Sequence, residues 1–126
     1  MKAKRAGAAP RTGVHREYFT DGKPSCVGRY VDGERSGEWK YYLRNGVVRA
    51  RGRFVRGRMA GSWRFYRENG RLWQAGGFAN DRKAGPWKRY YETGALYDVG
   101  TYADGEKTGV RRVYDAKGSL RSAKTY

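Results

Sequence analysis

One phrase recurs five times without insertion or deletion, and its spacing constrains this chain more than any single residue does. The copies are Gly13-Val14-His15-Arg16-Glu17-Tyr18, Gly37-Glu38-Trp39-Lys40-Tyr41-Tyr42, Gly61-Ser62-Trp63-Arg64-Phe65-Tyr66, Gly85-Pro86-Trp87-Lys88-Arg89-Tyr90 and Gly109-Val110-Arg111-Arg112-Val113-Tyr114, each 24 residues after the last. A fixed period of this length marks an array of one supersecondary unit, in which neighbouring copies bury each other's surface and no central globule is needed. Composition agrees. Hydrophobic residues make up only 38% of the 126 residues, yet aromatics reach 15%, and 11 side chains are Tyr.

The unit beginning at Gly37 has an aromatic run over 38–43, a turn at Arg44-Asn45-Gly46, a second run over 47–54, and a polar loop over 56–60. Asn-Gly between two such runs signals a β-hairpin in which both turn residues take positive φ. Asp21-Gly22 and Asn69-Gly70 repeat the signal, while Thr93-Gly94 and Lys117-Gly118 keep the glycine. The expected fold is all-β: an elongated single-layer antiparallel meander of five hairpin repeats, 13–36, 37–60, 61–84, 85–108 and 109–126, with ten strands.

With Asn45 and Gly46 as the turn, Trp39 faces Gly52, Tyr41 faces Ala50 and Leu43 faces Val48 across the hairpin. The same rule sets Trp63 against Gly76 and Trp87 against Gly100, so that each indole covers a strand glycine of its own hairpin. At the ends His15 faces Gly28 and Arg111 faces Lys124, as expected of capping repeats. Leu72, Leu96 and Leu120, with Tyr30, Phe54, Phe78, Tyr102 and Tyr126, fall on the tryptophan side. This apolar face, with Trp39, Trp63, Trp87, Phe54 and Phe78, is covered by the ribbon's own curvature, by a second chain, or by a ligand.

The opposite face carries one cation per repeat, Arg16, Lys40, Arg64, Lys88 and Arg112, and two residues further on Tyr18, Tyr42, Tyr66, Tyr90 and Tyr114. With 28 Lys plus Arg against 12 Asp plus Glu, the formal charge is +16, a field that favours polyanions or an acidic protein. Solvation of an exposed face competes with ligand binding as the reason for this ladder.

His15 is the only histidine and Cys26 the only cysteine. Triad chemistry, an intrachain disulfide and a Cys/His metal cluster therefore find no support, and the chain is expected to be neither an enzyme nor a carrier of metal or cofactor. Cys26 is expected as a small half-buried strand residue. Residues 1–12 contain Lys2, Lys4, Arg5 and Arg11 without a following apolar run, which suits a basic, disordered arm and a cytoplasmic protein.

The recurring Gly-x-Trp-Lys/Arg-x-Tyr, then Asn-Gly, then Gly-x-Phe/Tyr, as in Gly61 to Gly70 followed by Gly76-Gly77-Phe78, resembles the MORN repeat, in particular the bacterial variant of YwqK-like antitoxin proteins. The resemblance covers 13–126. It implies a hairpin ribbon used for binding: a protein partner such as a toxin, self-association in a scaffold, or anionic phospholipid. The first expectation is a non-catalytic protein-binding module, antitoxin-like, immunity-like or scaffold-like, with no small-molecule substrate. The alternative is a polyanion binder that holds RNA, DNA or anionic lipid through the cation ladder.

Overall fold

The computed structural model describes residues 3–5 and 11–126. They form one sheet of eleven strands in sequence order, every neighbouring pair antiparallel. The strands are β1 (Ala3–Arg5), β2 (Gly13–Phe19), β3 (Pro24–Val31), β4 (Glu34–Tyr42), β5 (Val48–Val55), β6 (Arg58–Tyr66), β7 (Leu72–Ala79), β8 (Arg82–Tyr90), β9 (Leu96–Ala103), β10 (Glu106–Tyr114) and β11 (Leu120–Thr125). β2 to β11 are the ten strands of the five hairpins. Of the arm expected over 1–12, residues 1–2 and 6–10 lie outside the described residues, and Ala3–Arg5 pairs with Glu17, Tyr18 and Phe19 of β2.

The expected register holds through most of each hairpin. Trp39 is the Cα partner of Gly52, Tyr41 of Ala50, Trp63 of Gly76, Trp87 of Gly100, His15 of Gly28 and Arg111 of Lys124. It slips by one residue next to the turn. Tyr42, not Leu43, pairs with Val48, and the Leu43 N–H donates to the Val47 carbonyl at 2.8 Å.

The turn is the cause. Gly46 donates its N–H back to the Leu43 carbonyl at 2.9 Å with φ 87°, whereas Asn45 is not among the residues with positive φ. This is a three-residue loop closed by a glycine bulge, not the two-residue turn expected. Asn45 Oδ1 instead accepts the Val47 N–H at 3.1 Å. Two-residue turns with both residues at positive φ do occur, but between hairpins: Asp32 and Gly33 (50°, 80°), Arg56 and Gly57 (51°, 78°), Asn80 and Asp81 (51°, 68°), Asp104 and Gly105 (53°, 86°). The polar stretch expected as a loop over 56–60 is therefore a tight turn followed by the first residues of β6.

Two further bulges follow from this. Beside the loop, Ser25, Arg49, Trp73, Tyr97 and Arg121 stand unpaired between partners of the preceding strand. Leu72, Leu96 and Leu120 are then the partners of Tyr66, Tyr90 and Tyr114 and share their side of the sheet, not the side of the tryptophans. The glycine that opens each of the second to fifth phrases makes the second bulge. Gly37, Gly61, Gly85 and Gly109 have φ of 68°, 67°, 76° and 66°, with nothing within 4 Å of an added Cβ, so conformation alone requires glycine there.

Trp39, Trp63 and Trp87 are 1%, 2% and 4% exposed, and they form the spine of the molecule. Each indole lies over a glycine, but in the preceding hairpin. A Cβ on Gly28 would stand 1.9 Å from Trp39 Cδ2, on Gly52 2.0 Å from Trp63 Cδ2, and on Gly76 2.1 Å from Trp87 Cδ2. The indole N–H groups reach back the same way, to the carbonyls of Arg29, Arg53 and Gly77 at 3.1, 3.0 and 2.9 Å. So do the edge-to-face contacts Tyr30–Trp39, Phe54–Trp63 and Phe78–Trp87, with centroids 5.2–5.3 Å apart. The tryptophan is a staple between repeats, not a lid on its own hairpin.

Candidate binding surface

Two faces remain to be assigned, and the aromatic one is largely closed by its own residues. Arg35 spreads over Trp39 and Phe54 at 5.3 and 5.5 Å from the ring centroids, and Lys83 over Trp87 and Tyr102 at 4.5 and 5.0 Å. Met59, at the equivalent position of the second repeat, packs against the buried cluster of Cys26, Trp39, Ala50, Phe54 and Trp63. Positions 35, 59 and 83 fall in or beside the stretches taken for loops, which is why the sequence alone left the cover open. Their long stems shield the rings and keep charge in water.

Trp39, Trp63, Trp87 and Phe54 are thus buried, and Phe78 is half-buried beside them. Trp73 stays open on this side. It is 43% exposed at a bulge and borders a groove of about 300 Å³ with Tyr41, Arg49, Phe54, Met59 and Phe65.

The other face presents the cations as one row. Directly paired residues run across the sheet as Arg16, Val27, Lys40, Arg51, Arg64, Ala75, Lys88, Val99, Arg112 and Ala123. All five ladder residues lie in it, and Arg51 joins them between Lys40 and Arg64. At about 4.8 Å per strand, the row is about 40 Å long. Arg16, Arg64, Lys88 and Arg112 are exposed, and Lys40 and Arg51 are half-exposed.

Like charges set opposite each other destabilise a sheet. One carboxylate moderates the densest stretch: Glu38 meets Arg51 Nη2 at 3.2 Å and Lys40 Nζ at 3.9 Å. Tyr18, Tyr42, Tyr66, Tyr90 and Tyr114 stand two residues along from the ladder cations, each half-buried and each paired across the bulge, with Pro24, Val48, Leu72, Leu96 and Leu120. Arg51 could have been found from the sequence, because the same hairpin register that sets Trp39 against Gly52 and Tyr41 against Ala50 opposes it to Lys40. The pairing of Arg51 with Arg64 could not, since it depends on the bulge at Gly61.

The two residues with nucleophile or base chemistry are buried apart from this row. His15 is 5% exposed and meets Tyr30 edge-on at 5.5 Å. Cys26 is also 5% exposed, and its thiol donates to Glu17 Oε2 at 3.1 Å. Burial first, and then the Glu17 hydrogen bond, push its pKa up to about 12, so the thiolate is scarce at neutral pH.

Residues 83–104 match the family model of the MORN repeat variant. That segment runs from Lys83 in β8 through β9 to the turn at Asp104, and β4 to β7 repeat its pairing with a 24-residue step. The match places residues 83–104 with the MORN repeat variant, and β4 to β7 share that segment's pairing. No curated protein matches it. Among solved structures, one chain from the crystal structure of a GtfA/B complex bound to UDP and GlcNAc is similar at 12% identity and a TM-score of 0.35, over 95% of this chain and 25% of that one. This chain thus spans about a quarter of that chain's length, and a likeness of this size bears on neither fold nor function.

Proposed function

We propose that the chain is a non-catalytic binding module whose ligand is a linear polyanion, the backbone of a single nucleic-acid strand before any other. The observation that carries this reading is the single file of Arg16, Lys40, Arg51, Arg64, Lys88 and Arg112 across paired strands, opposed among the described residues by the carboxylate of Glu38. A flat lipid surface would be served equally by scattered charge. A strand, in contrast, gains from a narrow track with aromatic side chains along its edge, where bases can stack on tyrosine.

The test is fluorescence anisotropy with a labelled single-stranded oligonucleotide, comparing the wild type with a variant carrying Gln at those six positions. Affinity is expected to fall by about 100-fold or more, and the wild-type salt slope to approach about −4, the value for six neutralised phosphates on a single strand. Binding that survives the six substitutions, or that ignores salt, would remove the proposal.

A protein partner, in an antitoxin-like or scaffold role, is the second reading. It rests on Trp73, an exposed residue of the type that dominates protein interfaces, set beside an apolar groove. Trp73→Ala separates the two: it abolishes capture of a protein partner and leaves oligonucleotide affinity within about twofold.

A further inference from the structure

The fifth repeat lacks its indole, and the stem of Arg111 refills only part of the space. Arg111 holds the tryptophan position. Its Cγ lies 3.7 Å from where a Gly100 Cβ would stand, but its guanidinium turns away to Asp98, with Nε and Nη2 at 3.0 and 2.9 Å from Oδ2. A cavity of about 120 Å³ remains on the aromatic face, floored by Gly100, walled by Trp87, Tyr102 and Tyr126, and rimmed by Lys83 and Lys107. The Thr101 carbonyl is the counterpart, one repeat on, of the Gly77 carbonyl that accepts the Trp87 N–H.

Charge within the cavity is unbalanced. Asp98 is 4% exposed and already holds both Arg89, at 2.6 Å, and Arg111. Among the described residues, Lys83 and Lys107 have no carboxylate within ion-pair distance and lie instead over rings, Lys83 over Trp87 and Tyr102, Lys107 over Tyr126 at 5.4 Å. Lys83 is held below its ordinary pKa by partial burial, then by Arg89 and Lys107, with Asp98 opposing. An anion entering here would meet two ammonium groups that lack a counter-charge.

Size and shape narrow the anion. In the three preceding repeats the equivalent space holds a flat aromatic ring against glycine. An apolar cavity of about 150 Å³ accepts one benzene ring; this one, at about 120 Å³, sets Trp87, Tyr102 and Tyr126 among polar neighbours that include Gln74, Thr108 and Arg111. We infer that this cavity binds a small aromatic carboxylate, its ring against Trp87 and Tyr102 and its carboxylate between Lys83 and Lys107. The site lies on the face opposite the cation row, so it stands or falls independently of polyanion binding. The ligand is held, not turned over.

Benzoate is the probe, titrated into the full chain by calorimetry and by NMR observation of the Trp87 indole, with inorganic phosphate as the plain-anion comparison. The expected result is one benzoate per chain, phosphate at least about tenfold weaker, and loss of binding in Arg111→Trp, which restores the missing staple. Lys107→Gln, at an exposed position, should weaken benzoate at least about fivefold, as removal of a charge-assisted contact does, while Arg58→Gln, with the same charge change elsewhere, leaves it unaltered. If Arg111→Trp does not fold, the contrast between Lys107→Gln and Arg58→Gln decides alone. Absence of benzoate binding, equal affinity for phosphate, or equal weakening by both single-charge changes overturns the inference.

Discussion

Trp87 and Arg111 hold the same position in adjacent repeats, and each reaches back over a glycine, Gly76 or Gly100. Their surroundings differ in kind. In the middle of the array, ring covers backbone so closely that no Cβ would fit, the indole N–H is spent on the neighbouring hairpin, and an aromatic edge closes each side. At the C-terminal end, an arginine stem covers the glycine loosely, and cohesion passes to the Arg89–Asp98–Arg111 network, while every residue of β11 is exposed. The difference shows which residue the glycine serves. Lys124 stands in line with Gly28, Gly52, Gly76 and Gly100, and among the described residues no indole lies over it, so a side chain is accommodated there.

The sharpest way to break this comparison is to add one methyl group to each region. Gly52→Ala puts a carbon within 2.0 Å of Trp63 and must expel the ring, so it should cost about 3–5 kcal/mol, comparable to truncating a buried tryptophan. Gly100→Ala meets only the Arg111 stem at 3.7 Å and should fall within about 0.5 kcal/mol of the wild type. Chemical denaturation of the two variants checks both, and equal losses would mean that the ends are stapled like the middle.

A smaller effect should not distinguish the regions. Gly61 and Gly109 have φ of 67° and 66° with open space around them, so alanine at either should cost about 1–2 kcal/mol from backbone strain alone. Unequal costs from the same denaturation measurement would place some further role on one of these glycines.

The smallest expected effect is one of pH. Burial alone would raise the Asp98 pKa, but the hydrogen bonds from Arg89 and Arg111 outweigh it and hold the carboxyl below its ordinary 3.8. A folded-state pKa below the unfolded one stabilises fully above 3.8 and loses that contribution as pH falls through the lower folded value. Acidification through that window should therefore loosen β9 to β11 before β4 to β7, seen as earlier loss of amide exchange protection. Uniform loss along the chain would argue against a separate electrostatic holding of the end.

Much of this was legible beforehand, for a physical reason. Strict periodicity and alternation fix which residues oppose each other within a hairpin, so the pairs Trp39–Gly52 and Arg111–Lys124 and the five-cation ladder follow from residue numbers alone. Turn type was not legible. Asn45-Gly46 satisfies both a two-residue turn and a three-residue loop with a glycine bulge, because Gly46 takes positive φ in either and asparagine tolerates both the positive φ of the first and the negative φ of the second. Nor was the direction of the indole. Gly52 lies between Trp39 and Trp63, and only the bulge at Gly61 brings the later ring over it. That same bulge hid the pairing of Arg51 with Arg64, while the cover supplied by Arg35 and Lys83 was hidden because both fall in or beside stretches expected as loops.

A double-mutant cycle on Trp63 tests the inter-repeat staple most directly, with Trp63→Leu combined in turn with Gly52→Ala and Gly76→Ala and stability measured by denaturation. The account predicts that the penalty of Gly52→Ala largely disappears once the indole is gone, while that of Gly76→Ala, which belongs to Trp87, persists. Disappearance of the Gly76→Ala penalty instead, with Gly52→Ala undiminished, would put the indole back on its own hairpin and contradict the account.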